Sequence, residues 1–202
     1  MPNKTRIAAA VTASALALGG GATLLAAGSS PAGAGQPRTF AYARIIDNAG
    51  AGVGTLTFRQ SRSGVVTVIG RVSLPTDSSE FHGFHVHANA DALGCVPGTG
   101  FTGAGGHWDV GGHTHGNHTG DLASLQRRSD GTADVSLRLD KFTAHDLIGK
   151  AVVVHTGPDN FANVPLGAAA NQYTDNGTAF SGAGGTAATG NAGSRYGCGV
   201  IR

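Results

Sequence analysis

Phe81-His82-Gly83-Phe84-His85-Val86-His87 reads as a β-strand: aromatic and β-branched residues, no proline, and an alternation of period two. On a strand, residues two apart share a face. His85 and His87 therefore present two imidazoles side by side, while Val86 faces the other way. Two imidazoles on one rigid face supply half of a square-planar nitrogen site, which suits Cu(II). The plainer reading of the same residues is a pair of exposed strand histidines without a ligand.

Strand-like segments lie on both sides of this stretch. Residues 39–46, 53–60, 65–74, 122–125, 133–139, 147–155 and 195–202 carry the signal, and Ala151-Val152-Val153-Val154 has the unbroken apolar pattern of a strand buried on both faces. Asp47-Asn48-Ala49-Gly50, Ser61-Arg62-Ser63-Gly64 and Ser129-Asp130-Gly131 read as the turns between them. Segments 88–120 and 156–194 show no periodicity. Loops that long in a compact domain need something to hold them. There are 34 glycines in 202 residues, against about 7% in average proteins, and no internal repeat. About eight strands with two oversized loops predict an all-β fold, an eight-stranded antiparallel Greek-key barrel or sandwich.

The N-terminus reads differently. Lys4 and Arg6 precede an apolar run from Ile7 to Ala27, and Ala32-Gly33-Ala34 offers a small-residue cleavage site. Residues 1–34 are thus expected to be a secretory signal peptide and 35–202 the functional domain. The run is rich in alanine and glycine, which favours export over retention as an anchor. Without Lys4 and Arg6 the formal net charge of +2 falls to zero, which excludes the basic surface that nucleic-acid binding needs. No stable membrane insertion is expected after processing. Cys95 and Cys198 are the only cysteines, and in a secreted, extracytoplasmic protein they are expected to form one disulfide.

Histidine is unevenly placed. His107, His113, His115 and His118 lie in the first loop, with Asp121 just beyond; with His85, His87 and His155 they make seven of the nine histidines. His plus carboxylate is a ligand set for Zn²⁺, and imidazole alone suits copper. A solvated His-rich loop is the alternative for 113–118. His145 reads as surface, and His82 as a structural hydrogen-bonding residue.

Gly83-Phe84-His85-Val86-His87, Gly94-Cys95, Gly105-Gly106-His107, His118-Thr119-Gly120-Asp121-Leu122, Val153-Val154-His155, Thr189-Gly190-Asn191-Ala192-Gly193-Ser194-Arg195 and Cys198-Gly199-Val200-Ile201 occur in this order. Over residues 38–202 the chain resembles the copper/zinc superoxide dismutase family, and most of all its exported bacterial branch, to which 159–165 is also similar. The resemblance implies a barrel with its metals held outside by the two loops. It implies copper on His85, His87, His107 and His155, with His107 bridging to zinc. Zinc would take His107, His115, His118 and Asp121; the family spacing suggests His115, eight residues past His107, with His113 as the alternative. Asp159 would join a copper ligand to a zinc ligand from behind, and Arg195 would lie beside copper, near the Cys95–Cys198 link. His115 and His118 stand closer together than the family's middle zinc histidines usually do, and only Asp159 and Asp175 are charged between His155 and Arg195.

The activity implied is disproportionation of superoxide to oxygen and hydrogen peroxide, with Arg195 and His107 as catalytic residues. An anionic substrate suits a fixed guanidinium. Two rivals are an exported copper-binding module without turnover and a structural sandwich carrying a relic site. Oligomeric state is left open, a homodimer among the alternatives.

Overall fold

The computed structural model describes residues 38–76, 79–90, 92–162 and 188–202, all within the unit Gly35–Arg202. The expected signal segment, Asp175 and most of the second loop (163–187) lie outside the described residues. Among the described residues the strands are β1 (Arg38–Asp47), β2 (Gly52–Gln60), β3 (Val66–Ser73), β4 (Phe81–His82), β5 (Phe84–His87), β6 (Leu125–Gln126), β7 (Thr132–Leu139), β8 (Ala151–His155) and β9 (Arg195–Val200).

All pairings are antiparallel, in one sheet of order β5-β8-β9-β1-β2-β3-β7 and one pair β4-β6. β4 and β5 are one strand interrupted at Gly83. Pairing beside β8 runs on through the break, because the His155 amide donates to the Gly83 carbonyl (2.9 Å) and the Gly83 amide to that of Gly157 (2.8 Å). Counted so, there are eight strands. β6 lies against β7, which closes the sheet into the expected Greek-key barrel.

Alternation places Ala41, Ala43, Ile45, Leu56, Phe58, Val66, Val68, Phe84 and Val86 in the barrel core. β8 is buried along its whole length for a different reason. Val152 and Val154 face the core. Ala151 and Val153 face outward into a second apolar cluster with Phe101, Ala104 and Cys198. Phe101 belongs to the first loop, is fully buried and begins its single 3-10 turn, Thr102–Ala104. Burying one such ring contributes about 1.5–3 kcal/mol. The disulfide between Cys95 and Cys198, with Cα atoms 5.2 Å apart across 103 positions, ties this loop to β9; loop-entropy reasoning gives such a link about 4–5 kcal/mol.

The rest of the first loop covers the free edge of β5. Trp108 N donates to Val86 O (2.8 Å), Val86 N to Gly120 O (2.8 Å) and Ala88 N to Gly106 O (3.0 Å). An exposed strand edge is thereby paired without a regular neighbouring strand. This also corrects the strand expected at 122–125. Leu122 donates to Phe84 O on the β5 edge (3.3 Å), so the pairing with β4 starts only at Leu125. The last strand ends at Val200 rather than Arg202, although Ile201 and Arg202 keep backbone bonds to Lys150 and Tyr42.

Candidate metal centre

The register of β5 on β8 sets the first part of the site. His85 pairs with Val153 and His87 with Ala151, so both imidazoles lie on the outer face of the barrel. His155 ends β8 beside a register shift against β9. His107 is brought to His87 by a backbone bridge, and Asp121 to His85 by another. One donor nitrogen each from His85, His87, His107 and His155 falls within a 4.8 Å cluster.

Second partners fix the ring orientations. His85 Nε2 donates to Asp159 Oδ2 (2.6 Å), His87 Nδ1 to Gly105 O (2.8 Å) and His155 Nδ1 to Gly193 O (3.0 Å). Each bond leaves the other ring nitrogen bare. The bare atoms, His85 Nδ1, His87 Nε2 and His155 Nε2, together with His107 Nε2, are buried and have no hydrogen-bond partner. Four convergent, buried, unsatisfied imidazole nitrogens are costly unless a cation takes them. An all-nitrogen set of this kind fits copper.

A second set sits on the other side of His107. His107 Nδ1 lies 3.0 Å from Asp121 Oδ1 and 3.2 Å from His115 Nδ1. His115 Nδ1 and His118 Nδ1 are 3.3 and 3.4 Å from the same oxygen, and His118 Nδ1 has no partner. His85, His107, His115 and Asp121 offer donors within a 4.8 Å cluster, with His118 at its rim. Three imidazoles and a carboxylate fit zinc. His113 is elsewhere: its side chain is 52% exposed and its Nδ1 donates to Asp109 Oδ1 (2.8 Å). Gly116 permits the tight step from His115 to His118 at φ +89°, a region that other residues avoid.

Asp159 links the two sets. Its Oδ1 accepts from His115 Nε2 at 2.7 Å and its Oδ2 from His85 Nε2 at 2.6 Å. Burial alone would raise this carboxyl, but the bonds from His115 and His85 hold it well below the usual carboxylate range. The same balance, with His107 and His115 as donors, keeps Asp121 ionised. Burial would lower His115, yet its bonds to Asp121 and Asp159 lift it to about 9. Burial pushes His107 down to about 4 and His155 to about 3, and takes His87 well below its ordinary value. His87, His107 and His155 are therefore neutral near pH 7 and open to a cation.

Arg195, at the start of β9, is half-buried; its Nη1 donates to Phe101 O and its Nη2 to Gly105 O (2.5 Å). Its charge acts on His87 and His155. His82 is buried, with Nδ1 donating to His155 O (2.7 Å), and His145 is exposed.

Two supporting residues carry little sequence signal. Lys141 Nζ donates to the carbonyls of His118 (3.1 Å) and Asp121 (2.9 Å), and nothing near it in the chain marks that role. Gly190 backs the Asp159–His115 bond: a Cβ there would lie 1.9 Å from Asp159 Oδ1 and 2.3 Å from His115 Nε2. Its place in the motif around Arg195 was the available signal.

The family model described as copper/zinc superoxide dismutase (SODC) matches residues 53–201. The chain belongs to this family. Among curated relatives named "Superoxide dismutase [Cu-Zn]", that of Mycolicibacterium paratuberculosis is 38% identical over 161 residues, 74% of this chain and 63% of the relative. That of Mycobacterium tuberculosis is 37% identical over 163 residues, 75% and 65% of the two chains. "Superoxide dismutase [Cu-Zn] 3" of Arabidopsis thaliana is 33% identical over 159 residues, 73% and 81%. The matched region thus spans a little under two-thirds of the mycobacterial relatives' length. Among solved structures, one titled a crystal structure analysis of the clock protein EA4 superposes with TM-score 0.58 at 26% identity, covering 80% of this chain and 92% of that one. Two of the chain's side-chain clusters, His85/His87/His107/His155 and His85/His107/His115/Asp121, could each hold a metal ion.

Proposed function

We propose that the chain disproportionates superoxide to oxygen and hydrogen peroxide at a copper and zinc centre. The carrying observation is the set of four buried imidazole nitrogens without partners, whose orientations are fixed from behind. His85 Nδ1, His87 Nε2, His155 Nε2 and His107 Nε2 would hold copper. His107 Nδ1, His115, His118 and Asp121 would hold zinc. Copper, when bound there, would supply the redox couple through which an electron passes from one superoxide to a second. Arg195 attracts the anion and orients it through a guanidinium already anchored on two carbonyls. His107, whose Nε2 belongs to the first set and Nδ1 to the second, would serve both metals once both ring protons are lost, a loss that two adjacent cations favour, and its Nε2 would take up a proton and hand it to the product. In balance, two superoxide and two protons give one oxygen and one hydrogen peroxide.

The reading includes export: residues 1–34 would act as the signal, and the Cys95–Cys198 disulfide, which belongs in an oxidising compartment, supports it. Among the described residues no helix is long and apolar enough to cross a membrane. The test is superoxide disproportionation by the secreted chain, loaded with copper and zinc, alongside a metal count and N-terminal sequencing. Stoichiometric copper uptake without turnover would leave the metal-sequestering reading instead.

A further inference from the structure

Phe101 stands in the first loop with φ +55° and ψ +29°, the left-handed region that a bulky side chain rarely adopts. Phe161, the other aromatic residue found there among the described residues, is exposed. Phe101 is fully buried, so its backbone is held by what its ring packs against. An unfavourable conformation persists only where its surroundings over-determine it, and such positions gather at functional sites.

Two ends of the site meet at this residue. Its side chain belongs to the outer cluster with Ala151, Val153 and Cys198. Val153 is paired with His85 and Ala151 with His87 in the β5–β8 register, so the ring is seated on the two residues that space the first two imidazoles. Its carbonyl accepts from Arg195 Nη1. The same oxygen accepts from Ala104 N (3.1 Å) and closes the 3-10 turn that leads to Gly105, the second acceptor of the guanidinium. A shift of the ring would move the first acceptor directly and the second through one turn.

We propose that Phe101 is a positioning residue for superoxide capture: its buried ring sets where the Arg195 guanidinium stands relative to the first imidazole set. The inference rests on the proposed function, in which Arg195 draws the anion. Phe101 acts only through Arg195. A plain core role would instead weaken the loop as a whole, with or without that arginine.

Azide, a small monoanion that ligates Cu(II), is the probe, titrated spectroscopically into the copper- and zinc-loaded protein. Phe101→Gly relieves the left-handed backbone but removes the ring, and should weaken azide at least about fivefold. Phe101→Leu refills most of the seat and should stay within about twofold of the parent. Val153→Ala, a smaller cut beneath the ring, should weaken azide about threefold. In an Arg195→Ala background neither Phe101→Gly nor Val153→Ala should have a further effect, because the group they position is gone. The Cu(II) electron paramagnetic resonance spectrum should match the parent's throughout. Parent-like azide affinity in Phe101→Gly or, should that chain not fold, in Val153→Ala would overturn the proposal. So would a Phe101→Leu variant as weak as Phe101→Gly, equal losses with and without Arg195, or an altered copper spectrum. Azide binding is read without turnover, so a parent that binds copper and azide yet leaves superoxide untouched would sink the proposed function alone.

Discussion

The two proposed metal-ligand sets share His107 but are built in opposite ways. In the first, His85, His87 and His155 stand on neighbouring strands, with spacing fixed by the β5–β8 register. In the second, His115, His118 and Asp121 stand on a loop. That loop is held by amides of Gly116 and His118 donating to Asp121 Oδ2 (2.8 and 3.0 Å) and by Lys141. A sheet positions its side chains without help from a cation. A loop held by hydrogen bonds to the ligand carboxylate needs the cation to complete it. The copper set should therefore keep its shape when empty, and the zinc set should account for most of the metal-dependent stability.

The largest effect is expected at His155. Losing an outer partner of a ligand already costs about 10–100-fold, so His155→Ala should lower turnover by more than about 100-fold at equal protein and metal supply. The fold should be retained, as judged by unchanged far-UV circular dichroism. Near-normal turnover would remove His155 from the site.

Next come the loop histidines. His115→Ala should weaken zinc binding by at least about tenfold and lower the melting temperature of the metal-loaded protein. His113→Ala should change neither, because His113 is bonded to Asp109 on the surface. Zinc titration of the two variants separates the cases, and equal behaviour would erase the contrast drawn between the sets.

Arg195→Ala should cost about tenfold in the second-order rate and flatten its dependence on ionic strength. Copper affinity should hold, since among the described residues the Arg195 guanidinium donates to two backbone carbonyls and to no histidine of the copper set. A rate and salt slope like the parent's would locate the attraction elsewhere.

The smallest effect concerns the metal-free protein and pH. His115 is raised to about 9 when folded, from about 6.5 unfolded. Its contribution is complete below 6.5 and lost as pH rises through 9. His107 and His155 are lowered to about 4 and about 3, so acid favours the unfolded chain from about 6.5 downward. The metal-free melting temperature should therefore peak near pH 6.5 and fall as pH rises from there to about 9. A melting temperature that holds level or climbs across that window would contradict the signs.

Much of this was legible in the chain, unevenly. The parity of His85 and His87 is a property of one strand, and it reads correctly because nothing distant alters it. The apolar run of β8 announces two buried faces, but not that Phe101, fifty residues earlier, covers the outer one; that needs the loop to fold back. The break at Gly83 was hidden, because the strand pattern runs through it while its hydrogen-bond partners change. The choice between His115 and His113 came from resemblance, since both lie in one polar loop and composition ranks neither. Lys141 reads as any surface lysine: its partners are main-chain carbonyls, which leave no side-chain signature.

The Gly105 carbonyl accepts from His87 Nδ1 and from Arg195 Nη2. One oxygen is thus the common origin from which a proposed copper ligand and the guanidinium proposed to draw superoxide are both measured. If thermal motion shifts that part of the loop, both groups are carried along, and the gap between them varies less than either position. Tolerance is set by the difference, which a shared reference keeps small even where the loop itself is not rigid.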